Sequence, residues 1–289
     1  MMVKNYMINI ILSKNLKNKC LLAFVPLVIV LLLSVILNSW NDFGNYIIAF
    51  TLQAIVMLVF LIPFFLIAFF HVKPELNKNG LLLIAILFFF LSEASQFSPR
   101  IFIFKDLYWN WQGKSLSFFG TLLLVYFWNG ITFQEIGVTR KLNKGSIFPV
   151  ILTVLISLIL EILISERGRG ASPFSTWLFQ ATLPGLDEEI LYRGVLLTLA
   201  NNVFGKPWKV FGAKIGWGFI LTSLLFSFLH MVSVGSNMSI TINWGNFFIP
   251  FSGGIVLAYL KERSGNIWTS VIYHNLANIA SVFVGYLPV

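Results

Sequence analysis

Long apolar stretches recur along almost the whole chain and constrain its fold more than any other feature. Nine such runs occur, at residues 21–37, 46–70, 80–92, 116–129, 146–165, 174–203, 215–232, 246–260 and 267–286. A helix of about 20 apolar residues spans the roughly 30 Å hydrocarbon core of a bilayer. The 80–92 run is short, so eight full spans plus one partial element fit as well as nine. The sequence predicts an all-α, polytopic membrane helical bundle of about eight (8–9) transmembrane helices.

The charged residues support a membrane protein and indicate its orientation. They make up 11% of the chain, against about 25% in soluble domains. If the N-terminus is cytoplasmic, fourteen lysines and arginines fall in segments on the inner side and five on the outer side. This asymmetry follows the positive-inside rule, so we expect a cytoplasmic N-terminus. The net charge of +9 is spread over the inner segments, and we therefore expect no nucleic acid partner.

Three features of the first 114 residues concern the membrane rather than chemistry. Four lysines precede the 21–37 run and no small-residue cleavage site follows it, so we expect a signal anchor. The single cysteine, Cys20, excludes an internal disulfide and a cysteine metal cluster. Tyr108, Trp109 and Trp111 form an aromatic cluster, which we interpret as an anchor in the headgroup layer, with a lid or interfacial helix as the alternative.

Acidic residues interrupt the 174–203 run and are the first candidates for chemistry. Ionisable side chains are costly in hydrocarbon unless they are paired or hydrated. In a helix Glu189 and Arg193 share a face and are predicted to pair. Glu188 lies about 100° around the helix, on the face of Tyr192, and is predicted to face a cavity. The alternative is that these acids lie at a membrane surface.

The same run contains a predicted break. Pro184 and Gly185 are expected to interrupt the helix, and Asp187 is expected to cap the helix that restarts there.

Two of the three histidines lie in later apolar runs, and each has a partner four residues away. These pairs are Phe226 with His230 and His274 with Asn278. Neutral imidazole can donate or accept a hydrogen bond near neutral pH, and the asparagine amide supplies donors. Either histidine alone has the alternative of being a packed core residue. Together with two adjacent glutamates, they are sufficient to activate water.

Three motifs in this order, Glu188-Glu189-x-x-x-Arg193, Phe226-x-x-x-His230 and His274-x-x-x-Asn278, resemble those of the CPBP family. This family comprises CAAX-type prenyl protease and bacteriocin-processing (Abi) membrane endopeptidases. The resemblance covers roughly residues 172–283. It includes a span in which Gly254-x-x-x-Ala258, preceded by Gly253, would permit close helix packing. We therefore divide the chain into accessory membrane helices, 1–145, and a catalytic membrane core, 146–289.

The resemblance implies peptide-bond hydrolysis in a conical or tilted intramembrane cavity. Glu188 would be the general base on water, with His230 assisting. His274 and Asn278 would donate hydrogen bonds to the developing oxyanion. The residues expected to support these four are Glu189, Arg193, Tyr192 and Phe226.

The family has been described both as metal-dependent and as a metal-free glutamate type. Glu188, His230 and His274 could form a three-ligand zinc site, but no HExxH motif is present. We favour the metal-free type and expect no cofactor.

The expected partners are the lipid bilayer and a membrane-associated peptide or protein substrate, and the expected location is the bacterial plasma membrane. Two other functions stay open from the residues. One is a non-catalytic immunity or scaffold protein, and the other is a proton-coupled transporter that uses Glu188 and Glu161.

Overall fold

A computed structural model describes residues 40–74, 79–96, 104, 107–128, 130–235 and 237–288. The expected signal anchor at 21–37 and Cys20 lie outside these residues. The described part is mostly helical. Its α-helices are α1 (Trp40–Val72), α2 (Asn79–Gln96), α3 (Trp111–Trp128), α4 (Ile147–Ile164), α5 (Phe174–Gln180), α6 (Leu183–Glu189), α7 (Leu197–Phe204), α8 (Trp217–Met231), α9 (Gly245–Ser264) and α10 (Trp268–Tyr286). A π-helical segment, Ile190–Leu196, joins α6 to α7.

The apolar runs from residue 46 onward correspond to these helices, because a backbone in hydrocarbon must satisfy its own hydrogen bonds. Two described stretches, Ile48–Val72 and Ile147–Ile164, are long and apolar enough to cross a membrane. None of the residues of α4 is buried, and its apolar side chains, such as Phe148 and Leu163, are exposed along the helix. Such a helix suits contact with lipid. The number of spans stays a prediction.

Two short antiparallel hairpins, which the all-α prediction did not include, flank α8. Strands β1 (Trp208–Val210) and β2 (Ala213–Ile215) precede α8, and β3 (Val232–Val234) and β4 (Ile240–Ile242) follow it. In the first hairpin Val210 pairs with Ala213, which leaves a two-residue loop. Both loop residues, Phe211 and Gly212, have positive φ, as a type I′ turn requires. The turn therefore forms although a phenylalanine rarely adopts this backbone conformation.

The helix that carries the acidic motif restarts as predicted, but five residues earlier than a cap at Asp187 would require. Helix α6 begins at Leu183, with Thr182 as the N-cap residue and Pro184 in the first turn, where a missing N–H is tolerated. Asp187 is therefore not a cap and lies inside the helix. The Gly185 N–H donates to Oδ1 of Asn275 (2.9 Å). A Cβ at Gly185 would lie 2.5 Å from that oxygen, so glycine permits α10 to approach.

Close packing between α8 and α9 places the later motifs around the acidic one. A Cβ at Gly254 would lie 3.2 Å from the Cα of Ser223 and 3.2 Å from Nη2 of Arg193. Ala258, one turn further along α9, is completely buried. The predicted close approach at these small residues is thus present. It presses α9 against both α8 and the π-helical segment.

Candidate active site

The predicted pair of Glu189 and Arg193 is present at the centre of the bundle. Nη1 of Arg193 donates to Oε1 of Glu189 at 3.0 Å, and both side chains are fully buried. The guanidinium carbon of Arg193 lies 4.2 Å from the centroid of the Phe226 ring, a distance at which cation–π attraction operates. Because each charge has a partner, the pair can persist in an apolar interior.

Glu188 is also buried, but its two carboxylate oxygens have different surroundings. Oε1 accepts a hydrogen bond of 2.6 Å from Nζ of Lys114, and the same ammonium lies 3.0 Å from Oδ2 of Asp187. Oε2 accepts no hydrogen bond from the residues that the structure describes, and it lies 3.8 Å from Nε2 of His274. One oxygen is therefore held by Lys114, while the other faces the imidazole of His274 without a hydrogen bond to it.

His274 contacts both glutamates through different ring nitrogens. Its Nδ1 lies 2.8 Å from Oε1 of Glu189, and its Nε2 points toward Glu188. A carboxylate that pairs with Arg193 can only accept at Nδ1, so Nδ1 carries a proton. The Glu189 carboxylate thereby fixes the orientation and tautomer of the imidazole, as a buried carboxylate does for many active-site histidines.

His230 reaches the site through Phe226, not by a direct contact with another motif residue. Its ring lies 4.7 Å from the Phe226 ring, and Nδ1 is 2.8 Å from the Phe226 carbonyl oxygen. The Phe226 ring also lies 6.2 Å from the ring of His274. His230 is exposed and interacts electrostatically with Glu188. Phe226 therefore approaches both imidazole rings.

Asn278 lies one turn beyond His274 on α10 and lines a cavity of about 450 Å³. Gln180 and Thr176 of α5 and Ser281 of α10 line the same cavity. The Asn278 side chain therefore lies on the wall of this cavity, one helical turn from His274. The cavity extends from this wall toward the end of α10 at Gly285.

Tyr192, predicted to share a face with Glu188, contacts a residue that the sequence reading did not select. Its hydroxyl donates to Oε1 of Glu93 at 3.1 Å, and the other oxygen of Glu93 accepts from Nε2 of Gln96 at 3.1 Å. Glu93 is buried. Its position at the end of the 80–92 run was a signal that could have identified it.

Lys114 was the more important omission. By the charge distribution Lys114 is one of the five basic residues on the outer side. A cation next to an apolar run is also a candidate partner for a buried carboxylate. Its side chain is only 12% exposed, and its ammonium touches two acids of α6.

The possible zinc ligands do not fit a metal ion as they are arranged. Among the residues that the structure describes, no three or more His, Cys, Asp or Glu side chains converge in a way that could hold one. The Glu188 carboxylate contacts the Lys114 ammonium, whose positive charge would repel a dication at the same oxygens.

Comparison with known proteins gives one match. Residues 170–280 match the family model described as type II CAAX prenyl endopeptidase Rce1-like, and no curated protein and no solved structure matches the chain. The matched range includes all three motifs, from Glu188 to Asn278. It indicates a protease that is integral to the membrane. The predicted resemblance to the CPBP family is thus confirmed for residues 170–280.

Proposed function

We propose that the protein is an intramembrane endopeptidase that uses water activated by Glu188 to hydrolyse a peptide bond in a membrane-associated peptide or protein. One observation carries this proposal. Glu188 is a buried carboxylate with one oxygen held by Lys114 and the other directed at the imidazole of His274. A general base must be oriented and have a free lone pair; Oε2 accepts no hydrogen bond from the described residues, and Lys114 holds the other oxygen of the same carboxylate.

In the proposed reaction Oε2 of Glu188 takes a proton from water, and the water oxygen attacks the peptide carbonyl carbon. The C–N bond then breaks, and the proton on Glu188 passes to the leaving amine. His230, whose ring packs against Phe226, would assist this proton transfer. The same carboxyl group thus serves first as base and then as acid.

His274 would stabilise the oxyanion. For Nε2 to donate while Nδ1 donates to Glu189, the imidazole must carry two protons. The two ring nitrogens face carboxylates, Nδ1 at 2.8 Å from Glu189 and Nε2 at 3.8 Å from Glu188. Asn278, one turn along α10, would supply a second donor to the substrate from the cavity wall. Preorganised donors of this kind commonly supply the largest single contribution to catalysis.

The substrate would approach through the cavity next to Asn278, because this cavity has polar walls one turn from His274. We propose a location in the bacterial plasma membrane, and the distribution of lysines and arginines supports a cytoplasmic N-terminus.

The proposal is tested by cleavage of a peptide library by the full chain in liposomes. Glu188→Gln should lower turnover by at least about 10²–10⁴-fold, because the amide keeps the size and loses the base. Thermal stability should change little, since Asp187 still pairs with Lys114. Wild-type turnover in this variant would refute the assignment. No cleavage by the wild type would favour the immunity or transport alternatives.

Glu189→Gln is the matched comparison on the neighbouring residue. It leaves Arg193 buried without a carboxylate, which costs about 3–5 kcal/mol. We therefore expect this variant to lose stability as well as turnover. The two adjacent glutamates would thus be separated by their effects on folding.

A further inference from the structure

The aromatic segment at residues 107–110 does more than lie at a membrane surface, because it is docked on α5. The ring of Trp109 stacks on Phe179 with 5.1 Å between centroids and 10° between planes. Its indole N–H donates to Oγ1 of Thr176 at 2.9 Å. Trp111, the first residue of α3, packs edge-on against the same Phe179 at 5.2 Å. These contacts fix the start of α3 relative to the helix that precedes the acidic motif.

A second set of contacts fixes the same turn against α2. The side-chain amide of Asn110 donates to the carbonyl oxygen of Gln96 at 2.6 Å, and its Oδ1 accepts from the Gly113 N–H at 3.0 Å. A Cβ at Gly113 would lie 2.7 Å from the Cα of Gln96, so this turn is packed as closely as a glycine allows. The next residue is Lys114.

Lys114 connects this fixed turn to the carboxylate proposed as the general base. Its Nζ lies 2.6 Å from Oε1 of Glu188 and 3.0 Å from Oδ2 of Asp187. Held by two acids of the same helix, the ammonium has little freedom to move. Of the two oxygens of Glu188, the ammonium contacts Oε1. This contact restricts rotation of the Glu188 carboxylate and directs Oε2 toward His274.

We propose that Lys114 is a positioning residue for Glu188, and that docking of the aromatic segment on Phe179 and Thr176 sets Lys114 in place. This inference rests on the proposed function of Glu188. It assigns a catalytic contribution to the N-terminal half of the chain. A displacement of about 1 Å in a catalytic group can cost about 10²-fold in rate, so a contact this close to the base is expected to affect turnover.

The test measures kcat and KM for one cleaved peptide with the full chain in liposomes. Lys114→Met should lower kcat by about 10²-fold with little change in KM, and Lys114→Arg should restore part of kcat because it keeps the charge. Trp109→Phe keeps an aromatic ring against Phe179 but removes the hydrogen bond to Thr176, and it should lower kcat about 5-fold. The control is Tyr126→Phe, which removes a hydroxyl from an exposed aromatic residue of α3, the helix that contains Lys114. It should leave kcat and KM unchanged.

The double variant Trp109→Phe/Lys114→Met separates positioning from general damage to the fold. If Trp109 acts through Lys114, the double variant should have the kcat of Lys114→Met alone, because the two changes interrupt one chain of contacts. Multiplicative losses would overturn the coupling. If Lys114→Met does not fold, Lys114→Arg and Trp109→Phe decide the matter, and wild-type kcat in both would overturn the proposal.

These measurements distinguish failure of the positioning role of Lys114 from failure of the general-base role of Glu188. An inactive Glu188→Gln together with wild-type kcat in Lys114→Met would refute only the positioning role. An active Glu188→Gln would refute the general base itself.

Discussion

Replacing Gly254 by alanine should destabilise the protein, whereas the same change at the neighbouring Gly253 should not. A Cβ at Gly254 would lie 3.2 Å from Nη2 of Arg193 and 3.2 Å from both Cα and Cβ of Ser223, where ordinary van der Waals contact begins near 3.4 Å. A Cβ at Gly253 would meet nothing within 4 Å. Both residues lie inside α9, so the two variants differ in packing and not in helix position.

The size of the effect follows from two opposing contributions. Alanine in a helix interior is favoured over glycine by about 1 kcal/mol, and this gain is common to both variants. Adding a methyl group to a fully packed contact costs about 1–3 kcal/mol. The Ser223 atoms belong to, or are attached directly to, the backbone of α8 and cannot rotate away, and Arg193 is held by Glu189 and Phe226. We therefore expect Gly254→Ala to be about 1–3 kcal/mol less stable than Gly253→Ala.

The measurement is reversible unfolding of both variants in mixed micelles, with peptide cleavage measured in parallel. Displacement of Arg193 would move Glu189, and Glu189 orients His274, so Gly254→Ala should also lose turnover. Equal stability of the two alanine variants would show that the separation of α8 and α9 is not limited by this contact, and the reasoning would be wrong.

Two further predictions concern the reacting groups. His274→Ala and Asn278→Ala should each reduce turnover by about 10²–10³-fold, as loss of an oxyanion donor does, and a loss in substrate affinity alone would reassign them to substrate positioning. Cleavage should survive extended chelation, with no stoichiometric metal by elemental analysis. Loss of activity that zinc alone restores would instead make Glu188, His230 and His274 metal ligands.

The part of the site that could be predicted from the sequence is the part in which contacts are local. Glu189 and Arg193 are four residues apart, so helix geometry alone predicts their ion pair, and the same holds for the contact of Phe226 with His230. The order of the motifs then indicated that His274 belongs to the same group, and its contacts with both glutamates agree.

What could not be predicted depends on contacts between distant residues or on backbone geometry without a sequence signal. Lys114 and Glu188 are separated by 74 residues, and no periodicity relates them. The turn at Phe211 and Gly212 was missed because phenylalanine is not a turn residue. The cap assigned to Asp187 was wrong because Thr182 and Pro184 already begin the helix.

The π-helical segment has a consequence for the length of the chain. Its wide turns, such as the bond from the Leu197 N–H to the Tyr192 carbonyl oxygen, accommodate one more residue than an α-turn. Upstream, Glu189 contacts α10; downstream, the Asn201 amide donates to Glu262 of α9 at 3.2 Å. The extra residue therefore sets the angle, measured around the helix axis, between the contact of Glu189 and the contact of Asn201. Deleting one residue between 190 and 196 would leave helix on both sides but rotate one contact away by about 100°. Over evolutionary time, such a chain can exchange side chains in this stretch more readily than it can gain or lose a residue there.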